Sequence, residues 1–172
     1  MVKAGIQPWL FQIEPYEGES LSHFLGRFRR PNHLSPSGLG QLAGIGAVVA
    51  RWERFHLNPF PSSKELDLLA AVVGVSAERL AGMLPPKGIG IKWTPIRLCG
   101  ACYGETPCHR MEWQYKSVWK CDRHQLFLLS KCAKCEASFK IPTEWFNGVC
   151  SRCSVPFGKM KQFQKNILPK AN

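Results

Sequence analysis

Apolar positions along this chain change their spacing from segment to segment, and each spacing predicts an element. Residues 6–18 show no regular period. Trp9, Leu10, Phe11, Ile13 and Tyr16 fall between Pro8, Pro15 and Gly18, which predicts an extended arm with apolar area to bury. From Glu19 the spacing is helical: Leu21, Phe24, Leu25 and Phe28 recur at i, i+3, i+4 and i+7, with Arg27, Arg29 and Arg30 opposite and Pro31 closing the run. Ser35 followed by Pro36 predicts a second helix start. Gly38, Gly40, Gly44 and Gly46 predict a break near Gly44, because each glycine costs about 1 kcal/mol in a helix interior. Val48, Trp52 and Phe55 line a third helix, with Arg51 and Arg54 beside them and Asn58-Pro59 as the stop.

Ser62-x-x-Glu65 is a capping box ahead of the stripe Leu66, Leu69, Ala70 and Val73. Gly74-Val75-Ser76 makes a turn, and Ala77, Leu80 and Leu84 begin the next stripe. Helix, glycine turn and Ser-capped helix form the helix-turn-helix pattern. The second of these helices offers only Arg79 as an exposed cation, which is thin equipment for reading base edges. Pro85, Pro86, Gly88 and Gly90 then punctuate the chain as a linker. Beyond it, Trp113, Tyr115, Val118 and Trp119 partly alternate with polar residues and predict a short strand. Trp113, Trp119, Phe139, Trp145 and Phe157 are the expected packing of this half. The end of the chain has a weak helical stripe of Met160, Phe163 and Ile167 among lysines.

Four Cys/His pairs occupy residues 99–153: Cys99-x-x-Cys102, Cys121-x-x-His124, Cys132-x-x-Cys135 and Cys150-x-x-Cys153. A two-residue gap lets two side chains grip one ion from a single tight turn, and two such turns complete the tetrahedron that Zn²⁺ accepts. Loop length favours pairing consecutive pairs, because short loops close most cheaply. That gives a Cys₃His site and a Cys₄ site, with an interleaved arrangement as the alternative. Disulfides are the competing use of the thiols and need an oxidising compartment. The first residues lack the charged start and apolar run of a signal peptide, which points to the cytosol, and no apolar stretch is long enough to span a bilayer. A rubredoxin-like iron site prefers four thiolates, which His124 argues against at the first site. Cys108, next to His109, is left over and reads as a buried thiol.

Charge adds a partner class. The formal net charge is +11, carried mostly by the second half: residues 1–90 hold nine Lys/Arg against seven Asp/Glu, and residues 91–172 hold fourteen against five. A basic surface overlapping metal knuckles draws a polyanion, RNA or DNA. The candidate contacts are Trp119 among Lys116, Lys120 and Arg123, and the cluster Arg51, Arg54 and His56 at the end of the third helix. Trp9, Phe11 and Tyr16 of the nearly neutral arm are candidates for docking a protein. Every predicted metal set is complete, whereas catalytic zinc keeps a position open for water, and no phosphate-cradling Gly-Lys-Ser/Thr loop is present. The expectation is a binding protein and not an enzyme. Its fold class is mainly α with small zinc-bound β elements: an arm (1–18), a helix-turn-helix domain (19–86), a linker (87–96), a tandem zinc-finger or zinc-ribbon domain (97–157) and a basic tail (158–172).

Several of these residues resemble a known family. The run Glu14-Pro-Tyr-Glu-Gly-Glu-Ser-Leu-Ser22, with Leu25 and Arg27 after it, is similar to the opening of TniQ proteins. So are Arg97-Leu-Cys-Gly-Ala-Cys-Tyr103, Trp113, Cys121-Asp-Arg-His124, Leu128 or Leu129, and Cys132-Ala-Lys-Cys135. The likeness covers about residues 9–155, and Cys108 is outside the pattern. The short length resembles the small TniQ of cyanobacterial RNA-guided, type V-K CRISPR-associated, Tn7-like transposons. Longer relatives carry C-terminal domains that recognise a fixed attachment site. The resemblance implies a bacterial cytoplasmic adaptor at target DNA, contacting that DNA indirectly. It would link the RNA-guided effector and its guide or tracrRNA to an AAA+ ATPase regulator that recruits transposase. The alternative from another class is a stand-alone zinc-ribbon and helix-turn-helix regulator that binds operator DNA.

Overall fold

The computed structural model describes residues 11–167. Trp9 and Leu10 of the predicted arm, and Lys170 of the predicted tail, lie outside the described residues. Among the described residues, six short helices precede or flank one two-stranded sheet. Helix α1 (Leu21–Arg29) starts at Ser20, whose hydroxyl accepts from the His23 amide at 3.3 Å. Helix α2 (Pro36–Leu42) starts at Ser35 in the same way, with the Gly38 amide 2.9 Å away. The predicted break follows at Gly44 and Gly46, both in the left-handed region. Helix α3 (Val48–Trp52) leads to α4 (Ser63–Val73), which carries the full reciprocal capping box of Ser62 and Glu65. Gly74, at φ +73°, ends α4, and α5 (Ala77–Gly82) begins at Ser76. Phe24, Phe28, Leu39, Trp52, Leu69 and Leu80 centre the core these five helices share.

A second core surrounds the cysteines. Leu98, Trp113, Trp145, Phe157 and Met160 fill it, and Phe55 reaches in from beyond α3. Helix α6 (Gly100–Glu105) lies against a 3₁₀ run, Phe157–Phe163. Gly100 makes that approach possible, since a Cβ there would sit 2.7 Å from the Lys161 nitrogen. The run buries Met160 and leaves Phe163 exposed, so only part of the predicted tail stripe is used. The strand expected around Trp113 is instead a 3₁₀ turn, Met111–Gln114. Its period-2 signal fails because Met111, Trp113 and Gln114 are all buried. The Gln114 carboxamide is spent on the backbone of the preceding segment, accepting from the Arg97 amide at 2.9 Å and donating to the Lys92 carbonyl at 2.6 Å. The pairing falls later: β1 (Lys120–Cys121) runs antiparallel to β2 (Leu126–Phe127) with Cys121 opposite Leu126. Trp119, expected in the core, packs on the outer side of this hairpin against Phe127, ring centroids 5.4 Å apart.

The two cores are stitched together along α1. Gly26 admits the turn Pro142–Glu144, because a Cβ at that position would lie 2.3 Å from the Thr143 carbonyl oxygen. Arg29 donates to both oxygens of Glu53, at 2.6 and 2.9 Å, and to the Thr143 hydroxyl at 3.0 Å. The Ser22 hydroxyl donates to the Glu53 carbonyl and accepts from the Thr143 amide. Ser20 donates its amide to the His109 carbonyl, while its hydroxyl lies 2.9 Å from His109 Nδ1. Most buried polar groups along the joint are paired, as burial demands; His109 Nε2 and the neighbouring Trp113 Nε1 are buried without a partner among the described residues. No helix among the described residues is long and apolar enough to cross a membrane.

Candidate metal centres and nucleic-acid interface

The four knuckles come together as consecutive pairs. Cys99, Cys102, Cys121 and His124 form one cluster, and Cys132, Cys135, Cys150 and Cys153 the other, with the ligand atoms of each cluster within 4.8 Å of one another. In the first, His124 Nδ1 lies 3.2 Å from Cys102 Sγ, 3.5 Å from Cys121 Sγ and 3.9 Å from Cys99 Sγ. In the second, Cys132 and Cys153 sulfurs are 3.6 Å apart, as are those of Cys135 and Cys150. A tetrahedron with Zn–S bonds of 2.3 Å has S–S edges of ~3.8 Å, so both donor sets fit one zinc ion each. A disulfide would bring two sulfurs to about 2.05 Å, and all eight thiols are free. Four protein ligands fill each centre and leave no position for a reacting water.

Three of the four knuckles share one backbone device. The residue directly after the second ligand sits in the left-handed region: Gln125 at φ +53°, Glu136 at +59° and Ser154 at +58°. In the last two, that residue's amide donates back to the first cysteine's carbonyl at 2.9 Å. The chain reverses there and both ligand side chains fall on one side. The fourth pair is built differently, with Cys99 capping α6 and Cys102 in its first turn. Glu105, at the end of the same helix, places a carboxylate oxygen 2.8 Å from His124 Nε2, the nitrogen turned away from the sulfurs. Its spacing after Cys102 on a helix is the sequence signal for it. The Lys134 amide points at Cys132 Sγ at 3.4 Å, which offsets part of the thiolate charge of the second cluster. Cys108 belongs to neither cluster. It is buried, and burial pushes its thiol up to about 12, so it stays protonated.

The residues expected to meet nucleic acid fall in three places. Trp119 is 52% exposed, with the Lys120 ammonium 5.8 Å from its ring centroid and Lys116 exposed nearby in the chain. Arg123 is drawn toward the first metal cluster, where it pairs with Glu105 at 2.7 Å. Arg51 and His56 line a separate groove of about 710 Å³, and Arg54 is exposed outside its lining. That groove also uses Pro86 of the predicted turn-rich stretch, and Phe60, Lys87 and Trp93, to which no role was assigned from the sequence. Trp93 is 59% exposed and stands edge-on to His56 at 4.7 Å, and its sequence signal was the aromatic beside Lys92. Ile91 of the groove wall bridges to Tyr115, and the carbonyl of the adjacent Gly90 accepts from the Lys116 amide, just ahead of Trp119. On the arm, the Phe11 backbone is clasped by the Asn32 side chain while its ring stays exposed, and Tyr16 packs under the Arg27 guanidinium at 4.2 Å.

A family model for TniQ matches residues 10–128, more than half of the chain, and the chain belongs to that family. The match spans the helices and the first metal cluster, and stops before Cys132. No curated protein matches the sequence significantly. Membership associates the chain with Tn7-like transposition.

Proposed function

We propose that this TniQ-family chain is a non-catalytic adaptor in RNA-guided target-site selection. It joins a type V-K CRISPR effector and its guide-scaffold RNA to an AAA+ ATPase regulator that recruits transposase, in the bacterial cytoplasm on target DNA. Two structural zinc ions hold the second core, whose cysteines sit among its buried aromatics, so metal binding contributes to its folding energy.

The observation that carries the reading is Trp119. A large aromatic, half exposed and set beside Lys120 on a hairpin anchored by the metal ligand Cys121, is suited to stack an unpaired base while the lysines meet phosphates. The closed donor sets support a structural role for the metals over a catalytic one. Helices α4 and α5 with their glycine turn have helix-turn-helix order, but α5 offers a single arginine, Arg79, which pairs at the surface with Glu14 at 2.7 Å. Indirect contact with target DNA fits that arrangement better than an operator-binding regulator does. The arm residues Phe11 and Tyr16 and the nearly neutral helical part are left for the ATPase.

Gel shifts of the zinc-loaded protein on structured guide-scaffold RNA and on random duplex DNA, with a parallel pull-down of the ATPase, test this. RNA binding together with ATPase capture supports the adaptor. Tight binding to duplex DNA with no ATPase capture would establish the regulator instead.

A further inference from the structure

A cleft of about 290 Å³ opens between α1 and the turn that follows Pro142–Glu144. Arg27, Arg30, Tyr103, Trp145 and Phe146 line it together with Gly148. Three groups there are unspent. The other two arginines of α1 have carboxylate partners, Arg27 with Glu19 at 2.8 Å and Arg29 with Glu53 at 2.6 Å. Arg30 has none among the described residues; it donates only to the Thr143 carbonyl, at 2.8 Å. Tyr103 is more than nine-tenths buried, yet its hydroxyl makes no hydrogen bond among the described residues. Phe146 is 69% exposed, with the Arg30 guanidinium 5.5 Å from its ring centroid. Gly148 keeps the hydroxyl reachable, since a Cβ there would lie 2.6 Å from it.

We infer that this cleft is a docking site for a partner protein, taking one Asp or Glu carboxylate between Arg30 and the Tyr103 hydroxyl, with a neighbouring apolar side chain on Phe146. The site is additional to the Trp119 face and does not depend on RNA recognition there. Arg30 is crowded by its own helix: burial, then Arg29 and Arg27, disfavour its charged form, and an incoming anion relieves that. A phenol hydroxyl is protonated at neutral pH and can donate. A charge-assisted pair with a guanidinium and a hydroxyl is a strong, directional recognition element. The charge pattern selects the partner. A nucleic-acid backbone needs a row of free cations, one for each successive phosphate. Here one free cation stands among neutralised arginines, with the exposed Glu144 two residues before Phe146. An acidic residue beside an aliphatic one on a protein matches a single cation beside a single exposed ring.

The test is an NMR titration of the isotopically labelled, zinc-loaded full chain at fixed ionic strength. Three probes are used: the capped tripeptide Leu-Glu-Leu, its Gln counterpart, and a short thymidine oligonucleotide. The Glu peptide is expected to shift the Tyr103, Phe146 and Arg30 side-chain signals, and the Gln peptide to bind roughly tenfold more weakly. Arg30→Gln and Phe146→Ser should each weaken the Glu peptide. Because Arg30 also holds Thr143, Phe146→Ser, at a largely exposed side chain, keeps the test decisive if the first variant misfolds. Equal binding of both peptides, no shift with either, or a preference for the oligonucleotide overturns the inference.

Discussion

The Glu105 carboxylate and the His124 imidazole meet at 2.8 Å through Nε2, while Nδ1 of the same ring faces the sulfurs of Cys99, Cys102 and Cys121. An acceptor on Nε2 fixes the proton there and leaves the Nδ1 lone pair for a metal, which orients the ligand and raises its basicity. Arg123 holds the second oxygen of Glu105 at 2.7 Å, so the carboxylate is itself positioned.

Removing that carboxylate should loosen one metal and not the other. Glu105→Ala is expected to weaken zinc at the Cys₃His site by about tenfold, the low end for such partners, because Glu105 is exposed. The Cys₄ site should keep its affinity. Competition against a chromophoric chelator resolves the two sites, starting from two zinc ions per chain. Equal weakening of both, or of neither, would show that the contact does not tune the metal.

Ser154 gives a stability prediction of the opposite sign. It holds φ +58°, and its exposed side chain makes no hydrogen bond among the described residues. A non-glycine residue in this region costs roughly 1–2 kcal/mol, and glycine pays back about 0.5–1 kcal/mol of that in unfolded-chain entropy. Ser154→Gly should therefore stabilise the zinc-bound protein by up to ~1.5 kcal/mol. Denaturant unfolding at saturating zinc measures it, and a loss of stability would mean that the serine does something the geometry does not show.

Much of this was legible in the sequence where a signal was local. Ser35-Pro36, the Ser62/Glu65 box, Gly44 and Gly74 each act within a few residues, and each marks a boundary in the structure. The ligand sets were legible for the same reason, since a two-residue gap and a short loop are local constraints. What escaped depends on residues far apart in the chain. Gly26 meets Thr143, Gly100 meets Lys161, and Ser20 meets His109, so the way α1 and α6 pack could not be read from either partner alone. Of the two readings Trp119 carried, core packing and an exposed contact, core packing fails for a related reason: its alternation with polar neighbours is real, but the inner side of its hairpin is taken by Cys121. The left-handed positions were invisible because Gln125, Glu136 and Ser154 are not glycines.

His109 gives the joint between the cores a pH dependence. It is fully buried among Phe55, Trp113 and Trp145, with ring centroids 5.7, 5.4 and 5.2 Å away. Burial first, then the His23 charge, holds it well below its ordinary 6.5. His23 is also lowered by burial, although Glu19 opposes this. The unfolded chain therefore takes up protons first. Below an unfolded value near 6.5 it binds more protons than the folded protein, and stability falls as pH falls. Between about pH 7.5 and about pH 5.5, His109 alone should account for about 1.4 kcal/mol. Acid also releases zinc by protonating thiolates, so the comparison is with His109→Gln, with metal release followed in both proteins. The variant should show the shallower decline, and parallel declines would remove His109 as the cause.

Two tryptophans in one short stretch separate structure from recognition. Trp113 is 1% exposed at the centre of the second core, and Trp113→Ala should cost about 3–5 kcal/mol through the cavity it leaves. Trp119 is 52% exposed, so truncating it removes little buried area and should leave the melting temperature nearly unchanged. If its ring stacks an unpaired base beside Lys120, Trp119→Ala should instead weaken single-stranded RNA by ~1–3 kcal/mol, roughly five- to 150-fold in affinity. Fluorescence anisotropy at one fixed salt concentration reads this, because phosphate contacts vary steeply with salt and stacking does not. A Trp119→Ala protein that melts like Trp113→Ala would place Trp119 in the fold after all. One that is stable and binds RNA undiminished would move the nucleic-acid contact away from the hairpin, toward the groove where Arg51, His56 and Trp93 stand together.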